Sequence, residues 1–173
     1  LRAAGLYEGA AELQQQVLQQ LTTVLGPAHP RTLICKSNLA LALRDQGMLG
    51  AAESLQREVL DQSSCKLGLE HPIVRYIAHY LGCTLSDRGA LREAACLQRQ
   101  VLERDCRELG PEHENTIASK LNTAARLLEQ GLLCEGGYLQ QQVLEQCARL
   151  MGPQHPSTIS TKHNHALLLL QLG

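Results

Sequence analysis

Along most of the chain apolar residues recur three and four places apart, in segments of about 14 to 18 residues, with proline confined to the junctions between them. That spacing lines one face of an α-helix. The stretch HPRTLICKSNLALALRDQG, residues 29–47, predicts one helix, with Pro30 near the first turn, where a missing N–H costs nothing. The stretch MLGAAESLQREVLDQSSCKLG, residues 48–68, predicts a second, with Gly68 where a left-handed C-terminal residue is wanted.

The junctions repeat. LGPAHP (25–30), LGLEHP (67–72), LGPEHE (109–114) and MGPQHP (151–156) stand in register, so that His29, His71, His113 and His155 are each 42 residues apart. Gly5, Gly47, Gly89, Gly131 and Gly173 keep the same step midway between them. Two interruptions per period imply a helix hairpin per period, and a lone hairpin cannot bury its apolar face. The expected fold is all-α: a right-handed α-solenoid, or superhelix, of stacked antiparallel helix hairpins. It forms a single array over residues 1–173, cut mid-unit at both ends, with units 1–29 (partial), 30–71, 72–113, 114–155 and 156–173 (partial, first helix only).

Periodicity also settles the most chemical-looking stretch, LGPEHENT, where His113 lies between Glu112 and Glu114. A histidine beside a carboxylate is the raw material of a general base. The histidine recurs in every unit, and one active site would not need four copies. The glutamates do not recur: the place of Glu112 is taken by Ala28, Glu70 and Gln154, and that of Glu114 by proline three times. These histidines are junction residues.

A small residue, a leucine three places on and a glycine four beyond recur in the first helix of each pair: Ala40, Gly82, Ala124 and Ala166, then Leu43, Leu85, Leu127 and Leu169. The second helix carries Ala10, Ala52, Ala94 and, as a departure that implies loosened packing, Gly136. This pattern resembles the tetratricopeptide repeat, and the 42-residue period with SNLALALRDQG resembles its kinesin light chain type. The resemblance covers the whole chain and names an architecture better than a task. It implies that the first helix, helix A, lines a concave face and helix B the outside.

The resemblance places Ile34, Ser37, Leu41 and Arg44 on that face, then Tyr76, His79, Cys83 and Ser86, then Ala118, Leu121, Ala125 and Leu128, then Ser160, His163, Leu167 and Leu170. The lysine and asparagine of the family's carboxylate clamp are absent there, which disfavours chaperone tails. Asn38, Asn122 and Asn164 recur one place further on, with Tyr80 breaking the series. An amide both donates and accepts, so these residues suit the backbone of an extended peptide, or equally a bond to the neighbouring helix. Lys36, Lys120 and Lys162 read as stems packed on the core with their ammonium heads turned outward rather than as a basic row for an acidic ligand. Tyr76 and Tyr80, one turn apart with His79 between them, form either a hot spot for a partner or filling beside Gly82.

Composition agrees with helices: 44% of residues are apolar, with no Phe or Trp and only Tyr7, Tyr76, Tyr80 and Tyr138. A formal charge of -1 and scarce aromatics disfavour nucleic acid and anionic membrane as partners. The longest apolar run, ALLLL at 166–170, is too short to span a bilayer, and no leader pattern opens the sequence. Seven cysteines without a CxxC suggest reduced thiols and a cytoplasmic setting. His163 and His165 of KHNH point to different sides of a helix, so no metal site is expected. No catalytic or cofactor motif appears. The expected function is a non-enzymatic scaffold holding a protein or peptide on the concave face. The alternative is a spacer packing end to end through terminal helices left uncovered at Leu167–Leu170 and Leu172, or contacting flanking segments of a parent protein.

Overall fold

The computed structural model describes the backbone of residues 2–172 and the side chains of residue 13 and residues 15–170. These residues form eight α-helices and no strand: α1 (Arg2–Leu25), α2 (Pro30–Asp45), α3 (Leu49–Leu67), α4 (Pro72–Asp87), α5 (Leu91–Glu108), α6 (Glu114–Glu129), α7 (Leu133–Met151) and α8 (Pro156–Leu172). The even-numbered helices are the predicted helices A. Two compact units divide the chain, Leu1–Ala90 with α1 to α4 and Leu91–Gly173 with α5 to α8. In the first, α2 packs on α1, α3 and α4, and α3 also on α4; in the second, α6 lies between α5 and α7, and α7 packs on α8.

Two junction chemistries set the helix ends. At each turn from helix A to helix B a glycine with positive φ (Gly47, Gly89, Gly131) closes a Schellman turn. The Gly47 N–H donates to the Arg44 carbonyl at 2.9 Å and the Met48 N–H to the Leu43 carbonyl at 2.9 Å. Gly5, expected to make the same turn, lies inside α1 instead. Gly173 and the side chains of Ala10 and Leu172 lie outside the described residues. At the other junction Gly68 has φ 81° and ψ 157°, so φ is positive as expected but ψ is extended rather than left-handed helical. A side chain is excluded from that region.

The four histidines follow these glycines. In each, the imidazole Nδ1 accepts the backbone N–H two residues on: Arg31 to His29 at 3.2 Å, Ile73 to His71 at 3.2 Å, Asn115 to His113 at 3.1 Å and Ser157 to His155 at 3.2 Å. The ring satisfies one of the orphan donors of the first helical turn, as an asparagine or serine cap would. Threonine adds a clasp, since the Thr32 and Thr158 hydroxyls donate to the Gly26 and Gly152 carbonyls at 2.9 Å.

Close helix approach follows from the small residues: Ala40, Ala52, Ala94 and Ala124 are fully buried. In the first unit Leu33, Val59 and Ile77 form a core joining α2, α3 and α4, with Leu55, Leu60, Leu67 and Ile73 packed around it. In the second, Ile117, Val143 and Cys147 join α6 and α7, with Leu121 against them. Each fully buried aliphatic side chain contributes about 2 kcal/mol from the area it removes from water.

Gly136 does not loosen the packing. A Cβ built there would stand 2.7 Å from Cγ and Cδ2 of Leu128, so that leucine fills the space left by the missing methyl. Nor is ALLLL uniformly uncovered: Leu168 is buried, while Leu167, Leu169 and Leu170 are exposed. On a helix only one residue of four consecutive leucines can point squarely at α7.

Candidate functional site

The exposed side chains of the helices A start from the same register that buries their other face. Because Leu33 and Ile77 point into the core, Ile34 and Tyr76, one residue away, are turned outward, and both are more than one-third exposed. In residues 1–90 this brings together Asn38, Tyr76, His79 and Tyr80. The Tyr76 and Tyr80 rings meet edge to face at 4.7 Å between centroids, and His79 and Tyr80 do so at 5.0 Å. The Tyr76 hydroxyl donates to Asn38 Oδ1 over a long 3.5 Å, linking α4 to α2. The His79 ring meets the Cys83 sulfur at 3.9 Å. Burial first, and the adjacent Tyr80 phenol second, push the Tyr76 hydroxyl above the usual phenol range, so it remains a neutral donor. The result is a rigid, amphipathic aromatic ledge in which each ring orients the next.

The remaining expected residues are distributed differently. Leu41 is half-buried, and Ser37 is fully buried with a hydroxyl lacking a hydrogen-bond partner. The Arg44 side chain pairs with Asp87 at 2.5 Å across α2 and α4. In residues 91–173, Leu121 packs on the Ile117, Val143 and Cys147 core, and Leu128 covers Gly136. His163 and Asn164 are exposed on α8. Of the three asparagines, Asn38 is joined to a neighbouring helix, through Tyr76 of α4.

Two of the three lysines, Lys36 and Lys120, turn their ammonium groups across their own hairpins instead of outward. Lys36 Nζ donates to Glu58 Oε1 at 2.8 Å and Gln62 Oε1 at 3.0 Å. Lys120 Nζ donates to Gln146 Oε1 at 2.8 Å and to the Pro111 carbonyl at 3.3 Å, and its side chain is buried. Gln146 stands two periods beyond Gln62, so the same bond recurs. The Lys36 ammonium, opposed by partial burial, holds the Glu58 carboxyl below the usual carboxylate range. An acidic ligand would have to displace these partners. Only Lys162 of the three is exposed.

What sequence reasoning missed are contacts between repeats. Arg88 engages Glu53, which Arg57 also holds from within α3; Arg99 engages Glu135, and Arg149 engages Glu112. Asp105 is buried and accepts from the Ser119 hydroxyl, between α5 and α6. Its period mates are Ser63 and Cys147, so no repeat signal marks it. Among the described residues no group of three or more metal-ligating side chains occurs, and no helix is long and apolar enough to cross a membrane.

Comparison with known proteins gives the following. Two tetratricopeptide repeat family profiles match residues 1–64 and 74–115, together more than half of the chain. No curated protein sequence matches it. The fold is similar to that of a putative kinesin light chain from Podosopora anserina with nearly identical TPR-like repeats. At 28% identity the TM-score is 0.81, over 96% of this chain and 79% of that one. A singly substituted form of that protein superposes with a TM-score of 0.82, at 28% identity, over 96% of this chain and 78% of that one. BtubC (BKLC) from P. vanneervenii shares the fold with a TM-score of 0.75 at 21% identity, over 94% of this chain and 64% of that one. The eight helices are those of an all-α repeat solenoid.

Proposed function

Because the chain belongs to the tetratricopeptide repeat family, with units of the kinesin light chain type, we propose that it binds a peptide or helix of a partner protein along its helix-A rows, without catalysis. The family is a non-catalytic scaffold for protein-protein interaction, and the specific surface and its occupant are the proposal. The observation that carries it is the ledge of Tyr76, Tyr80 and Asn38, with Tyr76 38% exposed. Rigid aromatic side chains give large contact area at low entropic cost, which is why they dominate hot spots. The hydroxyl of Tyr76 and the amide of Asn38 already face one another over a bond so long that a peptide group can replace either partner. Ile34, exposed on the same row, adds an apolar seat.

Peptides selected by display against the whole chain test this reading by titration calorimetry. Tyr76→Ala and Asn38→Ala are each expected to weaken the selected peptides about tenfold, close to 1.4 kcal/mol. Affinities unchanged in both variants would refute the surface.

A further inference from the structure

The hairpins α2–α3 and α6–α7 carry the same lysine in different charge surroundings. In residues 1–90 the Lys36 ammonium donates to Glu58 Oε1 at 2.8 Å and Gln62 Oε1 at 3.0 Å, and the Gln62 amide donates to the same carboxylate oxygen at 2.9 Å. In residues 91–173 the glutamine recurs as Gln146, but the register place of Glu58 is held by Gln142. Lys120 is 7% exposed, and among the described residues its ammonium donates to neutral oxygens: Gln146 Oε1 at 2.8 Å and the Pro111 carbonyl at 3.3 Å. Burying an ammonium group without a counter-charge in contact is costly.

A second substitution acts in the same direction. Arg149 stands where residues 1–90 have Cys65, while Glu145 keeps the charge of Asp61. Lys36, Glu58 and Asp61 therefore sum to one negative charge, whereas Lys120, Arg149 and Glu145 sum to one positive charge. Glu112 offsets part of this by engaging Arg149, which holds its carboxyl low more strongly than Lys120 does. Glu145 is itself engaged by Gln141 Nε2 at 2.7 Å. Between these groups lies a depression of about 290 Å³, lined by Lys120, Gln142, Glu145, Gln146 and Arg149.

We propose that this depression binds a carboxylate supplied by a ligand, seated between Lys120 and Gln146 as the Glu58 carboxylate is seated between Lys36 and Gln62. The ligand oxygen replaces the long Pro111 bond of the ammonium with a charge-assisted one. The Gln146 amide has two donors, one for the ligand and one for the Pro111 carbonyl, which it already holds at 3.3 Å. The site is built from α6, α7 and the turn before α6 and uses no residue of the aromatic ledge. It goes beyond the peptide-binding reading and is independent of it.

Titration of the whole chain with sodium acetate, against sodium chloride at equal ionic strength, tests the proposal. The Gln146 side-chain amide is followed by nuclear magnetic resonance and the thermal midpoint by circular dichroism. Acetate moves the amide signals saturably and raises the midpoint, as a ligand of the folded state does, and chloride does neither. Gln142→Glu, which restores the arrangement around Lys36, has a higher midpoint without acetate, and acetate then changes neither reading. A capped Gly-Glu-Gly peptide that reproduces the shift assigns the carboxylate to a protein side chain; a response to acetate alone assigns it to a small free acid. A wild-type response no larger for acetate than for chloride overturns the proposal, as does an undiminished response in Gln142→Glu.

Discussion

The hairpins α2–α3 and α6–α7 occupy the same place in the repeat two periods apart and solve the same packing problem with different atoms. In the first, Ala52 supplies the buried methyl where helix B approaches helix A, and Arg44 extends across to Asp87. In the second, Gly136 removes the methyl and Leu128, which stands where Arg44 does, folds into the space. Lys36 binds a carboxylate, whereas Lys120 is buried against neutral oxygens. Ser37, fully buried, has Leu121 as its counterpart. Shared backbone turns hold the hairpin, and each interior is filled individually. Only residues not recruited into that filling remain exposed, as the aromatic ledge of residues 1–90 does.

The largest effect should come from one register position that is fully buried in α2, at Leu33, and exposed in α8, at Ile159 three periods on. Leu33→Ala is expected to cost about 3 kcal/mol, whereas Ile159→Ala should stay within about 0.5 kcal/mol. Urea unfolding of both checks this, and equal costs would break the contrast.

Next is the contrast at the helix crossing. Gly136→Ala is expected to destabilise by about 1 kcal/mol, crowding against Leu128 outweighing the helix preference for alanine. In a Leu128→Ala background the same change should stabilise by up to about 1 kcal/mol. A double-mutant cycle without this reversal would show that Leu128 does not fill the space.

The cap comes third. His113→Ala should cost about 1 kcal/mol and His113→Asn only a few tenths, because the amide oxygen can accept the same N–H. Thermal melts of the two distinguish a cap from a mere spacer.

The smallest effect separates the two lysines. The Glu58 carboxyl is held low in the folded chain, so the unfolded chain binds its proton at higher pH. The stabilisation is present above the unfolded carboxylate range and lost as pH falls through the folded one. Lys36→Met should remove this acid-side loss, worth less than about 1 kcal/mol for so exposed a pair, as followed by unfolding at a series of acidic pH values.

The helices and their ends were legible because their causes are local. The glycine series marks Schellman turns, and the histidine series marks helix starts. That the ring itself caps the helix was not legible, since spacing locates a residue without its rotamer. Among the candidate residues, Ile34 and Tyr76 could be placed by the step that separates them from buried neighbours. The engagement of Arg44 by Asp87 depends on residues a whole period apart. Gly136 is instructive in the opposite direction: a missing methyl reads as looseness until the neighbour that fills it is known.

The sequence by itself determined an all-α chain of helix hairpins on a 42-residue period, because helix spacing, proline, glycine and histidine act through backbone geometry within a few residues. Only the tertiary structure decided which leucine of ALLLL is buried, where the lysine ammonium groups go, and that an aromatic ledge stands open in one unit. Those outcomes depend on volumes and charges that meet across helices, where a side chain moves to whichever space and partner its distant neighbours leave.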